Sequence, residues 1–255
     1  MNRKGDERVK IERLIVMGFT ANQLSRAGAR PTRRMAKACD VRFELQAIAS
    51  AVDFSVYGYE FLYRGASRPE TPADWARVDE GVIRYLGEVA VGIEQPCFVN
   101  LSHESLLALP ECAFTAAAML NDLRFEMSEA VAEGDLFDQV CTKVNRLSAS
   151  GIHFAIDDFG AGLDGSRRLY ALDRVEVIKV DRGLLISAAT RPQAARMLAA
   201  SVASWRAARI KTVAEGVETP ELLEFARRIG FDLVQGWHVD TLAPAQQAII
   251  SHSFF

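Results

Sequence analysis

The strongest constraint on the fold of this 255-residue chain is the repeated alternation of short apolar runs with longer amphipathic runs. The short runs have the length of β-strands, and the longer runs have the length of helices. Alternating strands and helices favour a parallel sheet covered by helices, and eight such strands close into a barrel. The predicted strands are residues 43–49, 55–63, 97–101, 123–127, 151–157, 175–180, 210–214 and 231–235.

The runs between these strands predict helices, and the last of them has clear end signals. Thr219 is suited to cap that helix, Pro220 suits its first position and Gly230 suits its end. The first two strands are separated by only about five residues, which predicts a hairpin. The predicted fold is therefore an α/β, TIM-like (β/α)8 barrel with one antiparallel strand near the N-terminus. The predicted helices cover 76–93, 103–119, 128–149, 191–208 and 219–229.

The charge of the chain is unevenly distributed. Residues 1–37 hold ten basic and three acidic residues, a net charge of +7, so the remainder carries −10 of the total of −3. We therefore predict a basic leader over residues 1–39, partly helical over 7–18 or disordered, followed by one domain over 40–255. The leader is either a solvated segment, a contact surface, or a short pair of DNA-binding helices over 19–34. It lacks interleaved aromatic residues, so a nucleic-acid polymer is not an expected partner.

The cysteines and the apolar runs indicate where such a chain resides. The four cysteines form no C-x-x-C pair, and no secretory leader precedes them, which predicts reduced thiols in the cytoplasm. The apolar runs are far shorter than the roughly 18 residues that a membrane span requires. We therefore expect a cytoplasmic protein without a membrane span.

Polar residues recur at or just beyond the ends of the predicted strands. In a parallel barrel these ends meet at one mouth, so residues distant in sequence converge there. Five clustered carboxylates raise one another's pKa, and divalent cations relieve the repulsion because they favour carboxylate and amide oxygens. The residues concerned are Glu60, Asn100, Glu126, Asp157, Asp158, Lys179, Glu215 and Gln235.

This set of side chains is suited to phosphodiester hydrolysis. Two cations a few ångströms apart can activate water and stabilise both oxygens of an in-line phosphoryl displacement. Lys179 and Arg64 add positive charge for a phosphate. Alternatives remain for each residue alone: Asp157 and Asp158 could form a turn, and Lys179 could make a surface ion pair with Asp181.

The same residues, in the same order, resemble the EAL domain family of cyclic di-GMP phosphodiesterases. The resemblance extends from residue 43 to about residue 245 and includes seven motifs. The matching stretches are Glu60-Phe61-Leu62-Tyr63-Arg64, Asn100-Leu101-Ser102, Glu126-Met127-Ser128-Glu129, Asp157-Asp158-Phe159-Gly160, Lys179-Val180-Asp181, Ala214-Glu215-Gly216-Val217-Glu218-Thr219 and Gln235-Gly236.

The resemblance implies a metal-dependent enzyme that converts cyclic di-GMP to linear pGpG in bacterial signalling. It implies two Mg²⁺ or Mn²⁺ ions, cyclic di-GMP as the partner, and a homodimer coupled through the loop after Asp158, which Glu129 would anchor. The alternative is a catalytically inactive EAL domain that acts as a cyclic di-GMP receptor or a protein-interaction module. The implied metal ligands are Glu60, Asn100, Glu126, Asp157, Asp158 and Glu215. The implied catalytic residues are Lys179, Glu215 and Glu60, and the implied substrate contacts are Gln46, Arg64 and Gln235.

Three stretches depart from the family pattern. Ala47 stands where the family has proline, and residues 160–166 replace G-T-G-Y-S-S-L. Residues 237–242 read W-H-V-D-T-L against Y-L-F-S-x-P. In that last stretch Trp237 is expected either to stack on guanine or to pack at the barrel rim. We expect His103 and His238 to be surface or edge imidazoles rather than metal ligands.

Overall fold

The structure is a computed structural model that describes residues 39–65, 69–128, 135–162, 165–243 and 249–254. The predicted leader over 1–39, with its helix over 7–18 and the segment 19–34, lies outside the described residues apart from Cys39. The leader and its boundary therefore stay predictions. None of the described helices is long and apolar enough to cross a membrane.

Within the described residues, eight strands close into a barrel, as predicted. Strands β2 to β8 are parallel neighbours, and β1 runs antiparallel to both β2 and β8, which closes the ring. The strands are β1 (Cys39–Ser50), β2 (Val56–Tyr63), β3 (Cys97–Leu101), β4 (Leu123–Met127), β5 (His153–Phe159), β6 (Val177–Val180), β7 (Lys211–Ala214) and β8 (Leu233–Val234). A further strand, β9 (Ile249–Phe254), was not predicted and pairs with the first half of β1.

Helices lie between the strands, with some departures from the predicted bounds. The run predicted as one helix over 103–119 forms two helices, because Pro110 cannot donate a backbone hydrogen bond and holds Leu109 extended. The described helices are α1 (Pro72–Glu88), α2 (His103–Ala108), α3 (Glu111–Leu120), α4 (Asp135–Ala149), α5 (Gly165–Ala171), α6 (Arg182–Thr190), α7 (Pro192–Ala207), α8 (Pro220–Ile229) and α9 (Trp237–Asp240). Of these, α5, α6 and α9 were not predicted.

The barrel interior contains an apolar layer with a polar layer above it. The apolar layer is formed by Ile48, Phe98, Ala155, Val177, Val213 and Leu233. Side chains on one face of a strand recur at every second residue, so the residue two positions nearer the mouth faces the same interior. Those positions hold Gln46, Asn100, Asp157, Lys179, Glu215 and Gln235. The strand period therefore explains why these polar residues meet.

Gly236 turns the chain immediately after Gln235. Its φ of +146° lies in a region that essentially only glycine adopts, and an added Cβ would lie 2.5 Å from the backbone nitrogen of Val217. We expect Gly236→Ala to lower the free energy of unfolding by about 2–4 kcal/mol, measured by urea denaturation. Gly92→Ala is the control, because Gly92 also has positive φ but an added Cβ meets nothing within 4 Å. Equal losses for the two variants would contradict the expected clash.

Candidate active site

The ammonium group of Lys179 is the centre of the polar layer. Its Nζ lies 2.9 Å from Glu60 Oε2, 2.8 Å from Glu126 Oε1, 2.8 Å from Asp157 Oδ1 and 3.0 Å from Glu215 Oε1. The lysine and Glu126 are fully buried, and the other three carboxylates are at most 15% exposed. One positive charge therefore faces four carboxylates in an environment of low dielectric constant.

Burial and mutual repulsion shift the pKa values of this cluster. Burial disfavours the charged form of Lys179, but the surrounding carboxylates, Asp157 foremost, raise its pKa well above the usual range. Burial raises the pKa of Glu126 and of Glu215 well above the usual range, although Lys179 opposes that effect. Burial also opposes ionisation of Glu60, but the charge of Lys179 and hydrogen bonds from neighbouring amides lower its pKa. Ionisation of all four carboxylates therefore requires more positive charge than Lys179 alone supplies.

Three side-chain amides complete the polar layer around Glu60. Asn100 Nδ2 donates to Glu60 Oε1 at 2.7 Å, and Gln235 Nε2 donates to Glu60 Oε2 at 2.6 Å. Gln235 Nε2 also donates to Gln46 Oε1 at 2.9 Å. Gln46 lies directly opposite Glu60 in the antiparallel pairing of β1 and β2, which explains why these side chains meet. The sequence-predicted residues Gln46, Asn100 and Gln235 are therefore in contact with the carboxylate cluster.

A bulge in β5 brings two successive carboxylates to the mouth. Between Ile156 and Phe159, β5 contains one more residue than the paired segment of β6, and Asp158 has a φ of +48°. Such a bulge breaks the alternation of side chains, so the carboxylate of Asp158 also lies close enough to Glu215 to raise its pKa. The turn suggested as an alternative for Asp157 and Asp158 is thus a bulge within the site.

Arg168 supports this part of the site and was missed by sequence reasoning. It is fully buried on α5, and its Nη1 donates to the backbone oxygens of Met127 and Asp157 at 2.7 and 2.8 Å. These contacts join the mouth ends of β4 and β5. In the sequence, Arg168 lies between two predicted strands where no helix was predicted, and an arginine in such a segment ordinarily has a solvated side chain.

The donor set fits a divalent cation in its chemistry. Carboxylate and amide oxygens are the ligands that hard cations prefer, and Glu126 Oε2, Glu215 Oε2 and Gln235 Oε1 are buried oxygens without a hydrogen-bond partner. Across the part of the chain that the structure describes, no three His, Cys, Asp or Glu side chains converge closely enough to hold a metal ion as they stand. The reason is Lys179, whose ammonium group lies between the carboxylates.

A cavity of about 190 Å³ opens above this cluster. It is lined by Gln46, Glu60, Glu215, Gly216, Glu218, Gln235, Gly236 and Trp237. Trp237 is 76% exposed at the rim, so it projects into solvent rather than packing against the barrel. A larger cavity of about 600 Å³ lies between α1 and the side chains of β2 and β3, such as Phe61 and Val99, and its lining includes Arg64 and Asn100. We take the smaller cavity as the candidate site because Glu60 and Glu215 of the carboxylate cluster line it.

Comparison with known proteins identifies the family. The family model of the EAL domain matches residues 76–241, which is more than half of the chain. The chain belongs to the EAL domain family. MucR of Pseudomonas aeruginosa, a bifunctional diguanylate cyclase/cyclic di-GMP phosphodiesterase, is 36% identical to this EAL domain protein over 129 residues. That match covers 51% of this chain and 18% of MucR, and the chain spans less than a third of the length of the curated relatives it matches.

Solved structures of EAL proteins share the fold. The calcium and cyclic di-GMP complex of Klebsiella pneumoniae BlrP1 has a TM-score of 0.65 and 28% identity, covering 77% of this chain and 54% of that chain. The cyclic di-GMP complex of the PaMucR phosphodiesterase has a TM-score of 0.60 and 26% identity, covering 80% of this chain and 90% of that chain. The predicted barrel with its antiparallel strand is thus confirmed as the fold of this EAL domain.

The structure of this EAL domain brings most, but not all, of the predicted site residues together. Arg64 lies apart: it is 49% exposed, and its Nε pairs with Glu44 Oε2 at 2.8 Å. Glu129, the predicted loop anchor, lies outside the described residues, as does Asp164. The residues that meet at the mouth are Gln46, Glu60, Asn100, Glu126, Asp157, Asp158, Lys179, Glu215 and Gln235.

The two histidines differ from each other in their surroundings. His103 is buried in the first turn of α2, so the expectation of a surface or edge imidazole is wrong for it, because the first turn of this helix faces the interior. His238 is half-buried on α9.

Asp240, also on α9, makes a contact that was not predicted: its Oδ2 accepts a hydrogen bond from Gln46 Nε2 at 3.0 Å. Only the departure of residues 237–242 from the family pattern could have drawn attention to it.

Proposed function

We propose that this EAL domain hydrolyses cyclic di-GMP to linear pGpG with two divalent cations, Mg²⁺ or Mn²⁺. The observation that carries the proposal is the buried cluster of Lys179 with four carboxylates, which are four of the six metal ligands that the family motifs imply. Relatives named as cyclic di-GMP phosphodiesterases, and a BlrP1 complex with manganese and cyclic di-GMP, support this reading.

The ligand assignment is the one that the resemblance to the EAL family implies. Asp157 would belong to both groups of ligands. When bound, the cations would neutralise the excess negative charge and lower the pKa of a coordinated water. The first cation would be held by Glu60, Asn100, Glu126 and Asp157, and the second by Asp157, Asp158 and Glu215.

The protein's own residues have distinct roles in the proposed reaction. Lys179, whose Nζ donates to Glu60 and Asp157, would orient the attacking water through the same ammonium group. Glu215, whose carboxylate lies at the mouth beside Lys179, would accept the water proton. The water oxygen bonds to phosphorus, one phosphodiester P–O bond breaks, and the leaving sugar hydroxyl takes up a proton.

Substrate contacts are proposed at the rim of the mouth. Gln46 and Gln235 line the cavity, and Arg64 would reach the dinucleotide only after leaving Glu44. The remaining parts of the proposal are a homodimer and a cytoplasmic location; the free thiols of Cys97, Cys112 and Cys141 fit a reducing compartment.

Trp237 provides a test of substrate binding. Stacking of a base on an aromatic ring contributes about 1–3 kcal/mol, so we expect Trp237→Ala to raise KM roughly 5–100-fold with little change in kcat. Trp237→Phe should recover part of the affinity. Tyr170→Ala, which removes an aromatic side chain that is 87% exposed on α5, serves as the control. An unchanged KM for Trp237→Ala would exclude a stacking role.

The decisive experiment is a direct assay of hydrolysis. Purified protein is incubated with cyclic di-GMP and Mg²⁺ or Mn²⁺, and pGpG is followed by chromatography with Glu60→Ala and chelator as controls. Metal-dependent pGpG formation that both controls abolish establishes the activity. Saturable binding of cyclic di-GMP without turnover would instead make the domain a receptor, and neither binding nor turnover would leave a protein-interaction module.

A further inference from the structure

Asp240 ends a chain of hydrogen bonds that leads to the carboxylate of Glu60. Asp240 Oδ2 accepts from Gln46 Nε2 at 3.0 Å, and Gln46 Oε1 accepts from Gln235 Nε2 at 2.9 Å. Gln235 Nε2 in turn donates to Glu60 Oε2 at 2.6 Å. Four side chains from β1, β2, the end of β8 and α9 are thus linked in series. Asp240 is the one member to which the family resemblance assigned no role.

The local backbone explains how Asp240 reaches Gln46. Gly236 turns the chain after Gln235, and α9 follows at once, with the backbone nitrogen of Asp240 donating to the oxygen of Gly236 at 3.0 Å. The preceding residue of α9, Val239, is fully buried, which holds the helix against the barrel. The carboxylate at the end of α9 is therefore fixed above β1.

The chemistry of the four groups sets the direction of the hydrogen bonds. An ionised carboxylate only accepts, so Asp240 requires Gln46 to present its Nε2. The oxygen of Gln46 then faces Gln235, which must present its own Nε2 to that oxygen. This orientation gives Glu60 a donor and directs Gln235 Oε1, which is buried without a hydrogen-bond partner, away from Glu60.

We propose that Asp240 is a positioning residue that fixes the orientation of the Gln46 and Gln235 amides, and thereby the donor that Gln235 presents to Glu60. The family pattern has serine at this position, and a hydroxyl both donates and accepts, so it would not impose one direction. Reversal of Gln46 would turn Gln235 as well and place its oxygen against the Glu60 carboxylate. The consequence for turnover rests on the proposed function, whereas the orientation of the amides does not.

The test combines side-chain NMR with a double-mutant cycle. In chelated protein labelled with ¹⁵N, the side-chain NH₂ signals of Gln46 and Gln235 are assigned with Gln46→Leu and Gln235→Leu. Asp240→Asn, which can donate to Gln46 Oε1, is expected to shift or double both signals. Glu221→Gln removes one negative charge on α8 without touching Gln46 and should leave both signals unchanged. Thermal melting checks that each variant is folded.

Kinetics supply the second measurement. Asp240→Asn is expected to lower kcat/KM roughly tenfold, because hydrogen bonds to charged groups are among the stronger ones. In the Gln46→Leu background the same substitution should have no further effect, because Asp240 acts through Gln46. Additive effects, or unchanged amide signals in Asp240→Asn, would overturn the proposal. If the wild-type protein shows no turnover, the proposed function fails, and the NMR signals alone decide the role of Asp240.

Discussion

Replacing Lys179 by methionine is expected to abolish hydrolysis and, without divalent cations, to lower the free energy of unfolding by about 3–5 kcal/mol. Methionine is similar in length but removes the only positive charge that contacts Glu60, Glu126, Asp157 and Glu215 among the described residues. Breaking a buried ion pair on one side leaves the other charges uncompensated, and here four carboxylates lose one partner. Urea denaturation in chelator measures the loss.

The loss of stability in Lys179→Met should depend on pH in a defined direction. Burial raises the pKa of Glu126 and Glu215 well above the ordinary value even with Lys179 present, and removing the lysine charge raises them further. An acid with a raised pKa contributes stability below its unfolded pKa of about 4.3 and loses it as pH rises through the folded pKa. The difference between wild type and Lys179→Met should therefore be small near pH 4 and large near pH 8.

Adding divalent cations distinguishes the contribution of Lys179 to stability from its contribution to turnover. Mn²⁺ should restore more stability to Lys179→Met than to wild type, because the carboxylates no longer share their oxygens with an ammonium group. Turnover should stay absent, because the group that orients the water is missing. Lys143→Met is the matched control, because this buried lysine donates to the backbone oxygens of Leu107 and Leu109 rather than to a proposed ligand. Turnover by Lys179→Met in the presence of Mn²⁺ would contradict the catalytic role of Lys179.

The sequence was sufficient to predict the barrel and most of its mouth because the strand period is local information. Asn100 and Lys179 follow Phe98 and Val177 by two residues, and a parallel barrel places such positions at one end. Strand β9 could not be predicted in this way, because its six residues pair with β1 across nearly the whole length of the chain. Its formation depends on tertiary contact rather than on a local pattern.

The internal contacts of the site could not be predicted for a different reason. A single charged residue forms no periodic pattern in the sequence. The burial of Arg168 depends on its hydrogen bonds to backbone oxygens at the ends of β4 and β5, which are known only from the folded structure. The contact of Asp240 with Gln46 likewise depends on the short helix α9, which has too few residues for a pattern. Lys179 was predicted at the mouth, but its position between the carboxylates follows from charge balance in the folded state.

Glu60→Gln is expected to lower turnover by at least about 10³-fold, since a lost cation ligand costs several kcal/mol and each 1.4 kcal/mol is a factor of about ten. Glutamine has nearly the same size as glutamate but brings one NH₂ group. Glu60 accepts from Asn100, Gln235 and Lys179, so that NH₂ group would face a donor whichever way it turned. The variant therefore loses both a ligand and the hydrogen bonds that orient it.

In Glu60→Gln, the concentration of Mn²⁺ needed for half-maximal activity should also rise. A chelator titration followed by thermal melting measures cation binding independently of activity. Glu80→Gln makes the same chemical change on α1, where Glu80 is exposed and pairs with Arg84, and should alter neither quantity. Because Glu60 is ionised with a lowered pKa, its charge is present across the neutral range. Turnover above a tenth of the wild-type value at saturating Mn²⁺ would remove Glu60 from the proposed ligands and leave Asn100, Glu126 and Asp157 to hold the first cation.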